Sequence, residues 1–227
     1  MSAELDRAGA STDPTPARAR EWLFRETNVH PTITDRQYRR FLRYPVNRAL
    51  TGPLADAATW ARQWFGANAG PWLCGLAVEA RTVSDGVEIA GELFGTAALA
   101  AQMAGLNGGV IVAASAGAES DDESARRWEA GEPDSYFFLE SYAAAAAEAL
   151  VVAAQRQIAS RFSDRALLDR SGPGYRGWAV DEMPRLLALL RCGSELPAPL
   201  RALESGMLQP KKSHLVFFGL VSASTPT

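Results

Sequence analysis

The sequence predicts an α+β fold, in which helices accompany a sheet that contains at least one hairpin. The hairpin signal comes from strand-like runs at 72–80 and 87–91, which flank a Ser-Asp-Gly turn at 84–86. A long alanine-rich helical stretch spans 135–162 and is expected to be central, because small side chains let another element approach its backbone closely. The closing segment 211–220 alternates before it becomes fully apolar. Strand and helix signals interleave without a regular βαβ repeat, which argues against a doubly wound parallel sheet.

The composition is that of a globular protein with a buried core, because 47% of the 227 residues are hydrophobic and 22% are charged. The net charge of -3 gives no electrostatic footprint for nucleic acid or for an anionic membrane. The longest apolar run, 143–154, is interrupted by Glu148 and is too short to span a membrane. No signal peptide is recognisable, and Cys74 and Cys192 are expected to be reduced thiols. These features predict a cytoplasmic protein.

Three regions follow one another along the chain. Residues 1–17 are rich in Ala, Ser, Thr, Pro and Asp and are expected to be a disordered lead. Residues 18–70 are expected to be a helical N-terminal region, and 71–227 an α+β domain that forms one compact unit with it.

The N-terminal region carries three helix signals. A short helical pattern covers 18–26, and a second helix is expected to begin after Thr34 and to end at Pro45. A third helix is predicted over 53–65, with proline in its first turn and Gly66 at its end.

The remaining elements are predicted in chain order from apolar spacing and from turn residues. They are a helix at 95–103, a buried strand at 110–114, helices at 120–128, 135–162 and 180–190, and a final strand within 211–220.

Familiar catalytic and metal motifs are not found. His30 and His214 are far apart and lack metal-ligand spacing, and the acidic cluster 120–123 suits a helix N-terminus. The segment 113–117 lacks the first glycine of a nucleophile elbow, and the glycines at 105–109 do not form a phosphate-binding loop. No metal site and no catalytic residue is predicted from these patterns.

The segment RSGPGYRGW is the best candidate for a ligand-binding loop. Gly172 and Gly174 permit backbone conformations that other residues avoid, and Pro173 between them stiffens the chain. Arg170 can pair with a carboxylate through a forked hydrogen bond, and Tyr175 offers a flat face and a hydroxyl. These groups suit a zwitterionic ligand with a planar base, such as S-adenosylmethionine, although a plain turn remains the alternative.

Two blocks resemble a known family. The spacing Arg170-x-x-x-Gly174-Tyr175 is similar to the RxxxGY signature of the activation (reactivation) domain of cobalamin-dependent methionine synthase. The run ESGMLQPKKS at 204–213 resembles that family's TES-x-x-M-x-P-x-x-S run, and the order of the two blocks agrees. The resemblance covers roughly 70–220, while the N-terminal 70 residues match nothing in the family and His214 departs from the usual continuation SVSG.

The resemblance implies a C-shaped α+β fold with a twisted antiparallel sheet and flanking helices, which binds S-adenosylmethionine in a shallow groove. By the same resemblance, Arg170 would meet the carboxylate of the ligand, and the backbone from Gly172 through Pro173 to Gly174 would contact its adenine and methionine parts. Tyr175 would lie beside the sulfonium. Further ligand-binding residues implied in this way are Asp164, near the amino group, and Glu204 and Ser205 of the second block.

The resemblance also implies a function, which is to assist reductive methylation of cobalamin on a separate corrinoid protein. The chain has no cobalamin, folate or homocysteine module, so it is expected to bind no cobalamin alone and not to be a complete methionine synthase. Two alternatives stay open. One is a biosynthetic enzyme of secondary metabolism that reuses the groove, capped by the N-terminal region with Tyr38, Tyr44 or His30. The other is a binding module without catalysis, and self-association as a homo-oligomer is open in each case.

Overall fold

A five-stranded antiparallel sheet forms the centre of the computed structural model, which describes residues 22–193 and 195–223. The predicted lead, 1–17, lies outside the described residues. In spatial order the strands of this sheet are β1 (Trp22–Thr27), β2 (Trp72–Val78), β6 (Leu106–Ser115), β10 (Ser213–Ser222) and β7 (Arg165–Leu167).

Two smaller antiparallel sheets complete the β-structure. The three-stranded sheet consists of β3 (Ala80–Val83), β4 (Gly86–Ile89) and β5 (Glu92–Phe94). The two-stranded hairpin consists of β8 (Arg201–Ala202) and β9 (Leu208–Gln209). The helices are α1 (Asp35–Phe41), α2 (Pro53–Asn68), α3 (Ala97–Gln102), α4 (Glu119–Glu129), α5 (Pro133–Arg161) and α6 (Met183–Arg191), with a short 3₁₀ turn at Val180–Glu182. The α+β prediction is therefore confirmed.

The central sheet is covered on both faces, because its strands alternate two sets of apolar side chains. One set, which includes Leu76, Ile111 and Phe217, packs against the three-stranded sheet and α6. The other set, which includes Val112 and Phe218, packs against the second half of α5. The sheet is thus the middle layer of the molecule.

Helix α5 is the central helix that its alanine content predicts. Its first half packs against α1 and α2, and its second half lies on the sheet. By length and composition this helix could cross a membrane, with a hydropathy of 1.5, but 61% of that apolar stretch is buried inside the protein. Small side chains let its neighbours approach the backbone closely, so the burial explains the alanine-rich sequence.

The helical prediction for 18–26 is wrong in its described part, where Trp22–Thr27 is the edge strand β1. Phe24 is buried and lies opposite Gly75 on β2. A Cβ at Gly75 would lie only 2.4 Å from the Phe24 ring, so the glycine makes room for the aromatic side chain. Pairing with a distant strand outweighs a weak local helical pattern here.

The hairpin prediction is right in its turn and wrong in its first arm. Residues Ala80–Val83 pair with Gly86–Ile89, whereas Trp72–Val78 lies in the central sheet between β1 and β6. The predicted run 72–80 therefore spans two strands that belong to different sheets. The helix predicted over 53–65 also continues past Gly66 to Asn68. Both cysteines are free, with Cys74 buried in β2 and Cys192 exposed after α6.

Helix α1 begins with a capping box that makes a testable contribution to stability. The Thr34 hydroxyl accepts a hydrogen bond from the Gln37 backbone N–H at 3.2 Å, and the Gln37 side chain accepts one from the Thr34 backbone N–H at 2.8 Å. We expect Thr34→Ala to lower the free energy of unfolding in urea by about 1 kcal/mol. The exposed Thr51→Ala is the matched control, and an equal effect of the two substitutions would contradict the role of the cap.

Candidate functional site

The loop that begins at Arg170 is attached to strand β10 by its backbone. The Ser171 N–H donates to the Phe217 carbonyl at 2.9 Å, and the Phe217 N–H donates back to the Ser171 carbonyl at 2.7 Å. A Cβ at Gly172 would lie 3.0 Å from the Leu215 carbonyl oxygen. The loop therefore approaches the strand more closely than a larger residue would comfortably allow.

The other end of the loop is fixed against helix α3. Gly177 has a φ of +81°, and a Cβ there would lie 2.7 Å from the Leu99 backbone nitrogen. The Gly177 carbonyl accepts hydrogen bonds from the Thr96 backbone N–H at 3.0 Å and from its hydroxyl at 3.1 Å. The Trp178 ring is buried beside Phe94, which anchors this end in the core. The loop is thus held from both sides.

The backbone between these anchors folds into successive turns. The Tyr175 N–H donates to the Gly172 carbonyl at 2.9 Å, and the Gly174 N–H donates to the Trp178 carbonyl at 3.0 Å. Gly174 has a φ of +93°, and a Cβ there would meet no atom closer than 3.8 Å. Gly174 therefore allows the left-handed backbone conformation of the turn, and its backbone is accessible to a ligand. Pro173, in contrast, is buried.

Arg170 is paired with a carboxylate that the sequence did not point to. Its Nη2 atom donates to Oε1 of Glu148, on helix α5, at 2.8 Å, with side chains 29% and 33% exposed. Burial lowers the pKa of Arg170, but the hydrogen bond and charge of Glu148, together with the Tyr175 hydroxyl, outweigh it and raise the pKa overall. The structure therefore brings Arg170 and Tyr175 together, as the loop prediction requires.

His214 lies near the other oxygen of the same carboxylate. Its Nε2 atom is 3.9 Å from Oε2 of Glu148, whereas Arg170 bonds to Oε1. Burial lowers the pKa of His214; the Glu148 charge opposes this shift and the Arg170 charge reinforces it, so the net direction is downward. The site therefore contains a guanidinium, a carboxylate and an imidazole in one group.

The second block meets the loop at Val180. Gly206 lies in the turn between β8 and β9 with a φ of +78°, and a Cβ there would be 2.6 Å from the Val180 carbonyl oxygen. A Val180 methyl group is also the nearest atom to a Cβ at Gly174. Glu204 and Ser205 are exposed at the tip of this same turn. The two sequence blocks, distant along the chain, thus share one surface.

Several apolar side chains on this surface are exposed. Tyr175 is 40% exposed, Val180 47%, Leu203 36% and Met207 59%. Leu203 and Met207 belong to one turn, in which the Leu203 N–H donates to the Met207 carbonyl at 2.8 Å. These four side chains form an exposed apolar surface, which we call the rim of the site.

The basic pair of the second block contacts helices α4 and α5. The Lys211 backbone N–H donates to Oδ2 of Asp121, on α4, at 2.6 Å. The Lys212 ammonium lies 2.8 Å from the Glu140 carboxylate on α5. Burial raises the pKa of Asp121. The hydrogen bond from the Lys211 N–H and the charges of Lys211 and Lys212 oppose this shift, but the net direction is upward. These contacts attach the start of β10 to both helices.

Asp164 is not brought to the loop. It precedes β7, in which Arg165 pairs with Ser222 on β10, whereas the loop is bonded to Phe217. The five residue steps from Phe217 to Ser222 along an extended strand span about 17 Å. The carboxylate beside Arg170 is that of Glu148, and the available signal was its position as the single charged residue in the run 143–154.

The N-terminal residues considered as caps of the groove lie elsewhere. The Tyr38 side chain is fully buried, and its hydroxyl donates to the Phe138 carbonyl at 2.8 Å. Burial raises the pKa of Tyr38 strongly. His30 contacts the Phe65 ring edge-on, and Tyr44 packs against the cluster formed by α1, α2 and α5. The suggestion that Tyr38 contributes to the site is therefore wrong.

Cavity volume does not mark this site. A cleft of about 860 Å³ lies at the opposite end of the central sheet, where Val78 ends β2 and Gly108 lies near the start of β6. Within residues 22–193 and 195–223, no group of three or more His, Cys, Asp or Glu side chains is arranged to hold a metal ion. Gly174 and Tyr175 of the loop are exposed, and the candidate site is defined by its polar groups.

Comparison with known proteins informs the fold alone. No protein-family model matches the chain, and no curated protein matches it. A crystal structure of the MetH reactivation domain bound to AdoHcy is similar, with a TM-score of 0.62, 16% sequence identity, and coverage of 92% of this chain and 82% of that one. The chain therefore shares the fold of the domain type that its two sequence blocks resemble.

Proposed function

We propose that this protein binds S-adenosylmethionine at the loop and assists reductive methylation of cobalamin on a separate corrinoid protein. The observation that carries the proposal is the Arg170–Glu148 pair at 2.8 Å, at the start of the loop that contains the first sequence block. The fold shared with a domain whose crystal structure holds AdoHcy supports the same ligand class.

The charged pair fits the amino acid part of such a ligand. An α-amino acid carries a carboxylate and an ammonium group one carbon apart, so its binding site needs a cation and an anion side by side. Arg170 has five N–H donors, and Nη2 is the one bonded to Glu148, which leaves others for a ligand carboxylate. Oε2 of Glu148 faces His214 at 3.9 Å and is the atom that would accept from the ammonium.

The loop backbone fits the rest of the ligand. Gly174 leaves its peptide groups approachable, and Tyr175 adds an aromatic face next to the guanidinium. S-adenosylmethionine would supply the methyl group, carried on its sulfonium. The residues of this chain would bind and orient the donor, so that a partner's reduced cobalamin meets it in a fixed geometry.

The rim of the site is where a partner would contact the protein. Val180, Leu203 and Met207 are exposed around the loop, and a corrinoid protein that covers them would exclude water from the methyl donor. Docking at this rim would place the partner's acceptor directly over the ligand.

Calorimetric titration with S-adenosylmethionine and S-adenosylhomocysteine tests the first half of the proposal. Binding of both, with weaker binding of 5′-methylthioadenosine, which lacks the amino acid part, is the expected result. No binding of either adenosyl amino acid would overturn it.

A second measurement tests the accessory role. A reduced corrinoid protein should become methylated from S-adenosylmethionine only when this protein is present. If S-adenosylmethionine is instead consumed without any corrinoid protein, the result would favour a biosynthetic enzyme that reuses the site.

A further inference from the structure

His214 occupies a position from which it can compete for the oxygen that an amino acid ligand needs. Glu148 uses Oε1 for Arg170 at 2.8 Å, and Oε2 lies 3.9 Å from the His214 Nε2 atom. His214 is on β10, the same strand that bonds the loop through Phe217. The imidazole is therefore fixed relative to both the loop and the carboxylate.

We propose that His214 is a positioning residue that decides whether Glu148 can accept the ammonium group of an amino acid ligand. A neutral imidazole leaves Oε2 available, whereas an imidazolium pairs with Oε2 and repels a second cation. This inference rests on the proposed binding of an adenosyl amino acid at the loop.

The groups that face His214 make the two cations mutually exclusive. Glu148 approaches from α5 and Arg170 from the loop, while its pairing partner on β6 is the uncharged Ala114. With Arg170 already bonded to Glu148, the single carboxylate charge cannot also serve an imidazolium and a ligand ammonium. Binding of the ligand must therefore be linked to loss of the His214 proton.

The direction of the pH dependence follows from this linkage. Burial, reinforced by Arg170, lowers the pKa of His214 from its ordinary value of 6.5, so the imidazole is neutral at pH 7. His214 becomes protonated only in more acidic solution. A ligand that binds only the neutral form loses affinity by up to about tenfold for each pH unit below the pKa of His214. The α-amino group of the ligand, with a reference pKa of about 7.7–8.0, stays protonated throughout this range.

S-adenosylhomocysteine is the probe, because it carries the amino acid part without the sulfonium charge. We expect its dissociation constant to rise as the pH is lowered from 7.0, by up to about tenfold for each pH unit below the pKa of His214. 5′-Methylthioadenosine, which keeps the adenosine and the thioether, should show no comparable change. Titrations in buffers of different ionisation enthalpy should detect proton release on binding of S-adenosylhomocysteine in acidic solution, where His214 is protonated in the free protein.

Two substitutions replace His214 by a side chain that is always neutral or always charged in this pH range. His214→Gln should flatten the pH profile, and His214→Lys should give weak binding at every pH, since its ammonium stays charged. Thermal unfolding of each variant over the same pH range establishes that the fold is retained. A structural role of His214 would not produce opposite effects from these two replacements.

The outcomes separate this inference from the function on which it rests. Binding at pH 7.0 with no pH dependence, or a slope that persists in His214→Gln, overturns the role of His214 and leaves adenosyl binding intact. Absence of binding at every pH overturns the proposed function itself.

Discussion

Replacing Arg170 by alanine is expected to weaken binding of S-adenosylmethionine and S-adenosylhomocysteine by about 30- to 150-fold. A charge-assisted hydrogen bond to a carboxylate contributes about 2–3 kcal/mol in a partly buried site, and the substitution also leaves Glu148 without its cation. The Glu148 charge would then repel the ligand carboxylate. Isothermal titration at pH 7 measures the change, and 5′-methylthioadenosine should bind the variant and the unaltered protein alike.

Arg176→Ala is the matched control for this prediction. Arg176 is exposed in the same loop, and the group it provides to the structure is its backbone carbonyl, which accepts from the Gln102 side chain at 3.1 Å. The two variants have the same net charge, so a difference between them reports on position. Unchanged affinity in Arg170→Ala, or equal losses in both variants, would show that Arg170 does not hold the ligand.

Gly177→Ala should be strongly destabilising, by about 2–5 kcal/mol. The backbone has a φ of +81°, which costs an alanine about 1–2 kcal/mol, and its Cβ would lie 2.7 Å from the Leu99 backbone nitrogen, an overlap that costs about 1–3 kcal/mol more. Because the contact is between the backbone of the loop and the backbone of α3, the two segments cannot move apart without breaking hydrogen bonds. Urea unfolding followed by circular dichroism measures the loss.

Gly131→Ala separates the two contributions to that loss. Gly131 has a similar φ of +73°, but no atom lies within 4 Å of a Cβ there. Its substitution should cost only the conformational part, about 1–2 kcal/mol. If the two variants were equally stable, the close packing of Gly177 against α3 would not be a significant constraint on the loop.

Local sequence patterns predicted most of the elements, because those elements depend on near neighbours. Thr34 marks the start of α1, and Pro53 marks the start of α2. The alanine run of α5 indicated close packing on several sides, which the structure confirms. Strand β1 was missed because its stability comes from pairing with β2, and the fit of Phe24 over Gly75 has no local signature.

The candidate site was predictable in part for the same reason. The loop from Arg170 to Tyr175 carries its own turn residues, so its shape and its chemistry are visible in a short segment. Glu148 and His214 reach Arg170 only through the packing of α5 and β10, and Glu148 lies 22 residues before it in the chain. Asp164 is nearer to Arg170 in sequence, yet it precedes β7, which pairs with the end of β10, whereas the loop pairs with Phe217 in the middle of that strand.

Helix α5 contacts both the N-terminal region, which lacks the two blocks, and the loop that begins at Arg170. Its first half, with Phe138 and Leu139, is covered by α1 and α2, and the same rigid rod presents Glu148 to Arg170. A gene fragment starting near residue 71 would encode both blocks and omit the cover of this helix. The shortest segment that can be cloned or recombined with α5 still covered is therefore longer than the stretch that carries the two blocks.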